Sequence, residues 1–374
     1  MQITVVRPHE LGEPELQSWR DFQQATPAYQ HPFLAPEFSV VVGRHRPQAR
    51  VAVLVDGSKT VGFFPFEHAR GGVGGPIARN MTACQGLVHA PGAEWDVDRL
   101  LRACGLSVWE FDCLVEGQEP FESASMVRVP SPLIDLSDGF PAYLEELRQR
   151  APSTHKKLGQ RRRRFERAFE DACFAGDTQD SAQLRTLMSW KSDQYRRTGR
   201  SDRSTWTGVP EILDELLHTR TATFSGVLSA VHGGGELAAA AFLLVSHGTA
   251  AGWHAGFNRA FSAYSPGMLV QLAAAEHLAG VGVTELHMGP GTLDVYKQTL
   301  KSRDAHVGAG RVLRRTPAGA LHWARSAATG RARQFVTASP RLLKAADATL
   351  QRYGRITTSL SRRSGRTDGP AVAP

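Results

Sequence analysis

The stretch from position 226 to 257 limits the fold more than any other part of this 374-residue chain. Residues 226–231, 237–245 and 250–257 are β-rich runs separated only by Gly233-Gly234-Gly235 and by Gly248. Connections this short cannot carry a crossover, so the three strands must form an antiparallel meander. After it come a loop, a helix over about 267–279, a short strand at 284–288, the turn Gly289-Pro290-Gly291 and a helix starting near Leu293. Strands in succession and then in alternation with helices put this part in the mixed α/β class.

The same strand, glycine turn, strand pattern occurs upstream, where 51–55 and 60–66 flank Asp56-Gly57-Ser58-Lys59. The echo suggests two copies of one unit. Gly62 and Pro65 mark the second run as an edge strand or a bulge, and the glycine cluster at 71–76 predicts a flexible loop. A strand at 129–136 links the two halves. Beyond it, Phe140, Tyr143, Leu144 and Leu147 recur with helical period, and that helix must break before Pro152. Ser153 or Thr154 can cap the next helix. Its apolar stripe, Leu158, Phe165 and Phe169, is narrow, while Lys156, Lys157, Arg161, Arg163, Arg164 and Arg167 cover the other side. Leu184, Leu187, Met188 and Tyr195 mark a third helix, and Pro210 opens a fourth. The length suits two domains of about 150 residues. The expected boundaries are 1–135, 136–312 and a basic helical tail, 313–374, with a disordered end.

A 41% hydrophobic content excludes a disordered chain, and the longest apolar run, nine residues at 237–245, is too short to cross a bilayer. The N-terminus, Met1-Gln2-Ile3-Thr4, has no basic region followed by an apolar stretch, so a cytoplasmic protein is expected. Cys84, Cys104, Cys113 and Cys173 have no paired spacing and are expected as free thiols. The fourteen histidines show no ligand spacing, so no metal is expected. Hydrolase elbows, Walker and Rossmann glycine patterns are missing. The net charge is +8, concentrated from Arg311 onward, where thirteen Lys or Arg meet only Asp347 and Asp368. That excess favours anionic partners: nucleic acid, a phosphorylated cofactor, or an inner-membrane surface under the tail with its Leu321, Trp323, Phe335, Leu342 and Leu343.

The strongest local signal is Tyr264-Ser265-Pro266-Gly267, between a strand and a helix. Serine favours the N-cap, proline the first helical position, and glycine lets a ligand approach the backbone. Such a helix start is suited to a pyrophosphate.

The order of these pieces resembles a GNAT-type acyltransferase, and more narrowly the CelD/BioF2-like acetyltransferase family, related to the FemAB peptidoglycan transferases. The matching pieces are the basic helix Lys156-Lys157-Leu158-Gly159-Gln160-Arg161-Arg162-Arg163-Arg164, the run 238–244, Tyr264-Ser265-Pro266-Gly267-Met268-Leu269, and Met288-Gly289-Pro290-Gly291 before Tyr296-Lys297. Upstream, His31-Pro32-Phe33 and Gly62-Phe63-Phe64-Pro65-Phe66 also fit, so the likeness spans roughly 30–310. It implies tandem GNAT-like α/β halves, the second bearing the cofactor turn. The implied activity is N-acyl transfer from acetyl-CoA or another acyl-CoA to an amine of a small molecule or sugar, by direct attack on the thioester.

Tyr264, Ser265, Pro266, Gly267, Met268 and Lys297 would bind the cofactor. His254 or His287 would be the general base, with Glu285, on the same strand face as His287, as rival. Tyr296 would protonate the leaving thiolate, and strand 250–257 would offer a main-chain N–H to the acyl oxygen. Two departures stand out. The usual GNAT pyrophosphate signature is absent, and His287 stands where the family often has an acidic residue. Because related FemAB-type enzymes use aminoacyl-tRNA, a tRNA-dependent transferase is the second reading, although no long heptad segment supplies a coiled-coil arm. A non-catalytic nucleic-acid- or membrane-binding protein is the third.

Overall fold

The computed structural model describes residues 1–314 apart from Asn80, 123–125 and 291–294, together with Thr316 and Gly319. Gly291, Leu293 and nearly all of the basic tail therefore lie outside the described residues. Among those described, no helix is long and apolar enough to cross a membrane.

The expected meander is present as β9 (Phe224–Gly233), β10 (Glu236–Ser246) and β11 (Thr249–Phe257), antiparallel throughout. The apolar run Leu237 to Val245 does not alternate because β10 is central and covered on both faces. On one face lie α6 (Ser181–Thr198) and α7 (Val209–His218). On the other lies α8 (Pro266–Gly280), which is mostly apolar with no single apolar face and has nine of its fifteen residues buried. Short β8 (Cys173–Ala175) extends the sheet beside β9. Strand β12 (Glu285–His287) lies parallel to β11.

The first half repeats this plan. Helices α1 (Glu13–Ala25) and α2 (Pro36–His45) precede β2 (Ala49–Asp56), β3 (Lys59–His68) and β4 (Val73–Pro76). These antiparallel strands are followed by α3 (Val97–Ala103) and by β6 (Val108–Leu114), parallel to β4. At the outer edge β1 (Gln2–Val6) pairs with β2, while β5 (Val88–His89) pairs with β3. Strand β3 is internal rather than an edge. Pro65 is tolerated because it falls in the gap between the segments where β5 and β4 pair with β3, and the register shift expected near Gly62 is present. The glycine cluster at 71–76 is only partly a loop, since its second half is β4. Gly74 is required there because a side chain would strike Leu106 at 2.5 Å.

The two halves share one sheet, in the order β1-β2-β3-β4-β6-β13-β7-β12-β11-β10-β9-β8. Here β7 is Val127–Asp135 and β13 is Arg303–Leu313. Read from either end, the sequence of parallel and antiparallel pairings is the same. The two final strands have changed places. β7, which follows β6 in the chain, pairs with β12 of the second half, and β13 pairs with β6 of the first. The sheet thus runs unbroken through position 135.

Between the halves, α4 (Gly139–Arg150) ends one residue before α5 (Pro152–Ala168). Pro152 itself starts α5, and neither Ser153 nor Thr154 caps it, because the N-cap position falls on Ala151. Leu158 and Phe165 are buried, as their spacing predicts.

Candidate active site

Each half contains a place where parallel strands part. In the second half β11 and β12 pair only from Thr249 to Ala251 against Glu285 to His287, and β11 then runs on for six residues. The pairing with β10 shifts by one residue at Phe242/Leu243, so Trp253 bulges out and β11 bends away. The result is a notch. Its lips are held by a segment of the first half: Trp253 donates from Nε1 to the Met81 carbonyl at 2.8 Å, and Gly289 lies against Ala83. The corresponding notch between β4 and β6 is filled. Gln85 bridges to Leu114, and its side-chain oxygen accepts from the Asp112 and Cys113 amides, both at 3.1 Å.

The helix that starts at each notch differs in the same sense. Asp96 caps α3, its carboxylate accepting from the Arg99 amide at 2.7 Å, which leaves negative charge where an anion would sit. At α8, Ser265 is in the left-handed region (φ 54°) and its hydroxyl caps nothing, contrary to expectation. Its carbonyl accepts from the Met268 and Leu269 amides, at 3.0 and 3.4 Å. Pro266 is buried and has no N–H, so only the Gly267 amide is left without a partner among the described residues. The helix start is therefore a narrower cradle than the sequence suggests. Positive charge from α5 supplements it: Arg161 reaches Met268 Sδ at 3.7 Å, and Arg164 lies 5.3 Å over the Tyr264 ring. The basic helix and the Ser-Pro-Gly turn, one hundred residues apart in the chain, thus converge.

On the α1/α2 side of the sheet a cavity of about 210 Å³ opens between the halves. Glu285 and His287 share this face, as their spacing predicts. Nε2 of His287 lies 3.0 Å from the Glu285 carboxylate; in the neutral imidazole that donates there, Nδ1 carries the lone pair. Glu285 also pairs with Arg303 of β13. The His287 hydrogen bond and the Arg303 charge hold this carboxyl below its ordinary range. His31 meets His287 edge to face at 5.2 Å. Its Nδ1 accepts from the Phe33 amide at 3.4 Å, which leaves the proton on Nε2. Burial, and then His287, keep it neutral by lowering its pKa well below the usual histidine value. Cys84 also lines the cavity, but burial pushes its pKa to about 12, so it is no thiolate at neutral pH.

The other sequence candidates lie elsewhere. His254 does not line the cavity. It stacks on Trp253, and burial, with Lys191 and Arg203 nearby, lowers its pKa to about 3. A base that weak gains little from accepting a proton near neutral pH. Lys297 does not extend toward a phosphate: it is 8% exposed and its ammonium donates to the carbonyls of Gly289 and Pro290 at 3.2 and 3.3 Å. Burial favours such pairing, and the residue holds the turn after β12. Tyr296, on α9 (Val295–Leu300), is half-buried against the second half's core. Glu116 also lines the cavity; it, His31 of the His31-Pro32-Phe33 motif and Arg303 come from strands and loops distant in the chain, so spacing in the sequence marks no role for them.

Residues 152–298 match the family model described as an acetyltransferase (GNAT) domain. No curated protein matches. Among solved structures, FemX superposes with a TM-score of 0.53 at 10% identity, over 83% of this chain and 96% of that one. A conserved protein of unknown function from Bacteroides thetaiotaomicron gives 0.50 at 9%, over 84% and 100%. A tandem GNAT protein from the clavulanic acid biosynthesis pathway gives 0.44 at 13%, over 83% and 98%. The fold is a tandem GNAT-like α/β fold, in which each half repeats the same strand plan, and the family match falls on the second half.

Proposed function

We propose that this chain is an N-acyltransferase of the CelD/BioF2-like kind, moving an acyl group from acyl-CoA to an amine of a small molecule or sugar. The observation that carries the reading is the asymmetry of the two notches. One is plugged by Gln85 and carboxylate-capped, while the helix at the other starts without a side-chain cap and has two arginines beside it. The edges of β11 beyond Ala251 offer main-chain groups to an extended, amide-bearing arm, in the manner of strand addition. The Gly267 amide, Arg161 and Arg164 would hold its phosphates.

A thioester supplies an activated acyl carbon, so the protein needs to position an amine and move protons. Nδ1 of His287 would take the proton from the attacking amine, and Glu285, fixed by Arg303, would favour the resulting imidazolium. An unpaired β11 amide would donate to the acyl oxygen. The imidazolium would then return its proton to the departing sulfur.

A second reading, an aminoacyl-tRNA-dependent transferase, is favoured by the rest of α5. Lys156, Lys157, Arg163 and Arg167 are exposed in addition to the two arginines at the helix mouth. That is more positive charge than one nucleotide needs. Thiol release over a panel of acyl-CoAs and amines tests the first reading. Silence there, with tRNA binding of steep salt dependence, would favour the second. Salt-dependent binding to duplex DNA or anionic vesicles without transfer would leave a non-catalytic role.

A further inference from the structure

Resting on the transferase reading with His287 as base, and taking the cavity that His287 lines as the place of the acceptor, we infer that the acceptor is a small dication: the amine that is acylated, and a second ammonium held by Glu116. The chain carries an excess of Lys and Arg, yet among the described residues the cavity is lined by Glu116 and Glu285 and by no Lys or Arg. The Glu285 carboxylate is engaged by His287 and Arg303. That of Glu116, at the rim, has no cationic partner among the described residues.

A second observation points independently to a hydrogen-bonding ligand. Ser131 and Thr249, only 3% and 7% exposed, both line the cavity. Neither hydroxyl has a protein partner among the described residues. Buried polar groups are normally satisfied, and hydroxyl lone pairs suit ammonium N–H groups. With Glu285 engaged by Arg303, the Glu116 carboxylate is the charge left to favour a cation over an anion at the cavity rim. A volume of about 210 Å³ restricts the occupant to a small molecule.

The test is calorimetric titration of the whole protein, without acyl donor, with putrescine, butylamine and γ-aminobutyrate. Putrescine should bind about five-fold more tightly than butylamine, the size of one partly screened ion pair, with γ-aminobutyrate the weakest. Glu116→Gln should bring putrescine and butylamine together while leaving the melting temperature unchanged. Equal binding of the two amines by the wild type, a preference that survives Glu116→Gln, or no binding by any of the three would overturn the inference. Thiol release is followed in parallel. Transfer to amines without a putrescine preference sinks the dication and spares the transferase. Putrescine selectivity without transfer from any acyl-CoA does the reverse.

Discussion

The rings of His31 and His287, one from each half of the chain, meet edge to face with centroids 5.2 Å apart. His31 is fixed by the Phe33 amide and His287 by Glu285, so each imidazole has one nitrogen committed, and both residues line the shared cavity. The site exists only where the two halves meet.

His287 is the residue whose loss should cost most. His287→Ala should lower kcat by about a hundred-fold or more, within the usual range for a positioned base, with little change in KM for the acyl donor. His254→Gln should stay within a few-fold of wild type. Steady-state thiol release distinguishes the two, and a larger loss at His254 would exchange their roles.

The cradle at α8 should act on the donor alone. The double change Arg161→Ala and Arg164→Ala should raise KM for acyl-CoA about ten-fold or more, as two charge-assisted contacts would, and leave kcat near wild type. Gly267→Ala should be milder, because its new methyl would meet only the Phe257 ring edge at 3.2 Å, and that side chain is exposed enough to give way. An unchanged KM in the arginine variant would remove α5 from the donor site.

Stability should fall on mild acidification. The folded pKa of His254 is lowered to about 3, below the unfolded value near 6.5, so the unfolded chain binds the extra proton. The neutral side chain is accommodated fully above pH 6.5, and stability is lost as pH drops through the window between 6.5 and about 3. His31, lowered in the same direction, adds to the slope. Between pH 6.5 and 5 the loss from one such group is about 2 kcal/mol at most. Urea midpoints at pH 7 and 5 measure it, and the gap should narrow in His254→Gln.

The buried pair Arg46–Glu67 should be indispensable to the first half. The guanidinium donates twice, at 2.6 and 2.9 Å, to a carboxylate that is 1% exposed and also accepts from the Ala78 amide. Arg46→Met would leave Glu67 charged and buried, with Arg79 no nearer than 3.8 Å, and should cost about 3–5 kcal/mol. Paired replacement with Glu67→Gln should recover part of that loss in the same unfolding assay.

Neither half should fold alone. A chain ending at position 135 would lack β13 beside β6, and one starting at 136 would lack β7 between β12 and β13. Each fragment should be insoluble or lack the near-ultraviolet dichroism of a packed core, with co-expression restoring both. A soluble, cooperatively unfolding 136–374 fragment would contradict this.

What the sequence determined was local. Turn glycines bounded by apolar runs dictate the β9–β11 meander, and helical periodicity dictates α4 to α7, because both depend on neighbours a few residues away. The pairing of Glu285 with His287 follows from a two-residue step along one strand. Which strands lie side by side was decided only in the folded molecule. β13 reads poorly as a buried strand, with Gly308 and Gly310 in its middle. Those glycines are needed because Met126 and Phe111 fill the space where side chains would project, at 2.8 and 3.3 Å. The exchange of β7 and β13 brings Arg303 to Glu285, and the shared sheet brings His31 to His287. These contacts depend on closing the two halves against each other, which no pattern within a short window encodes.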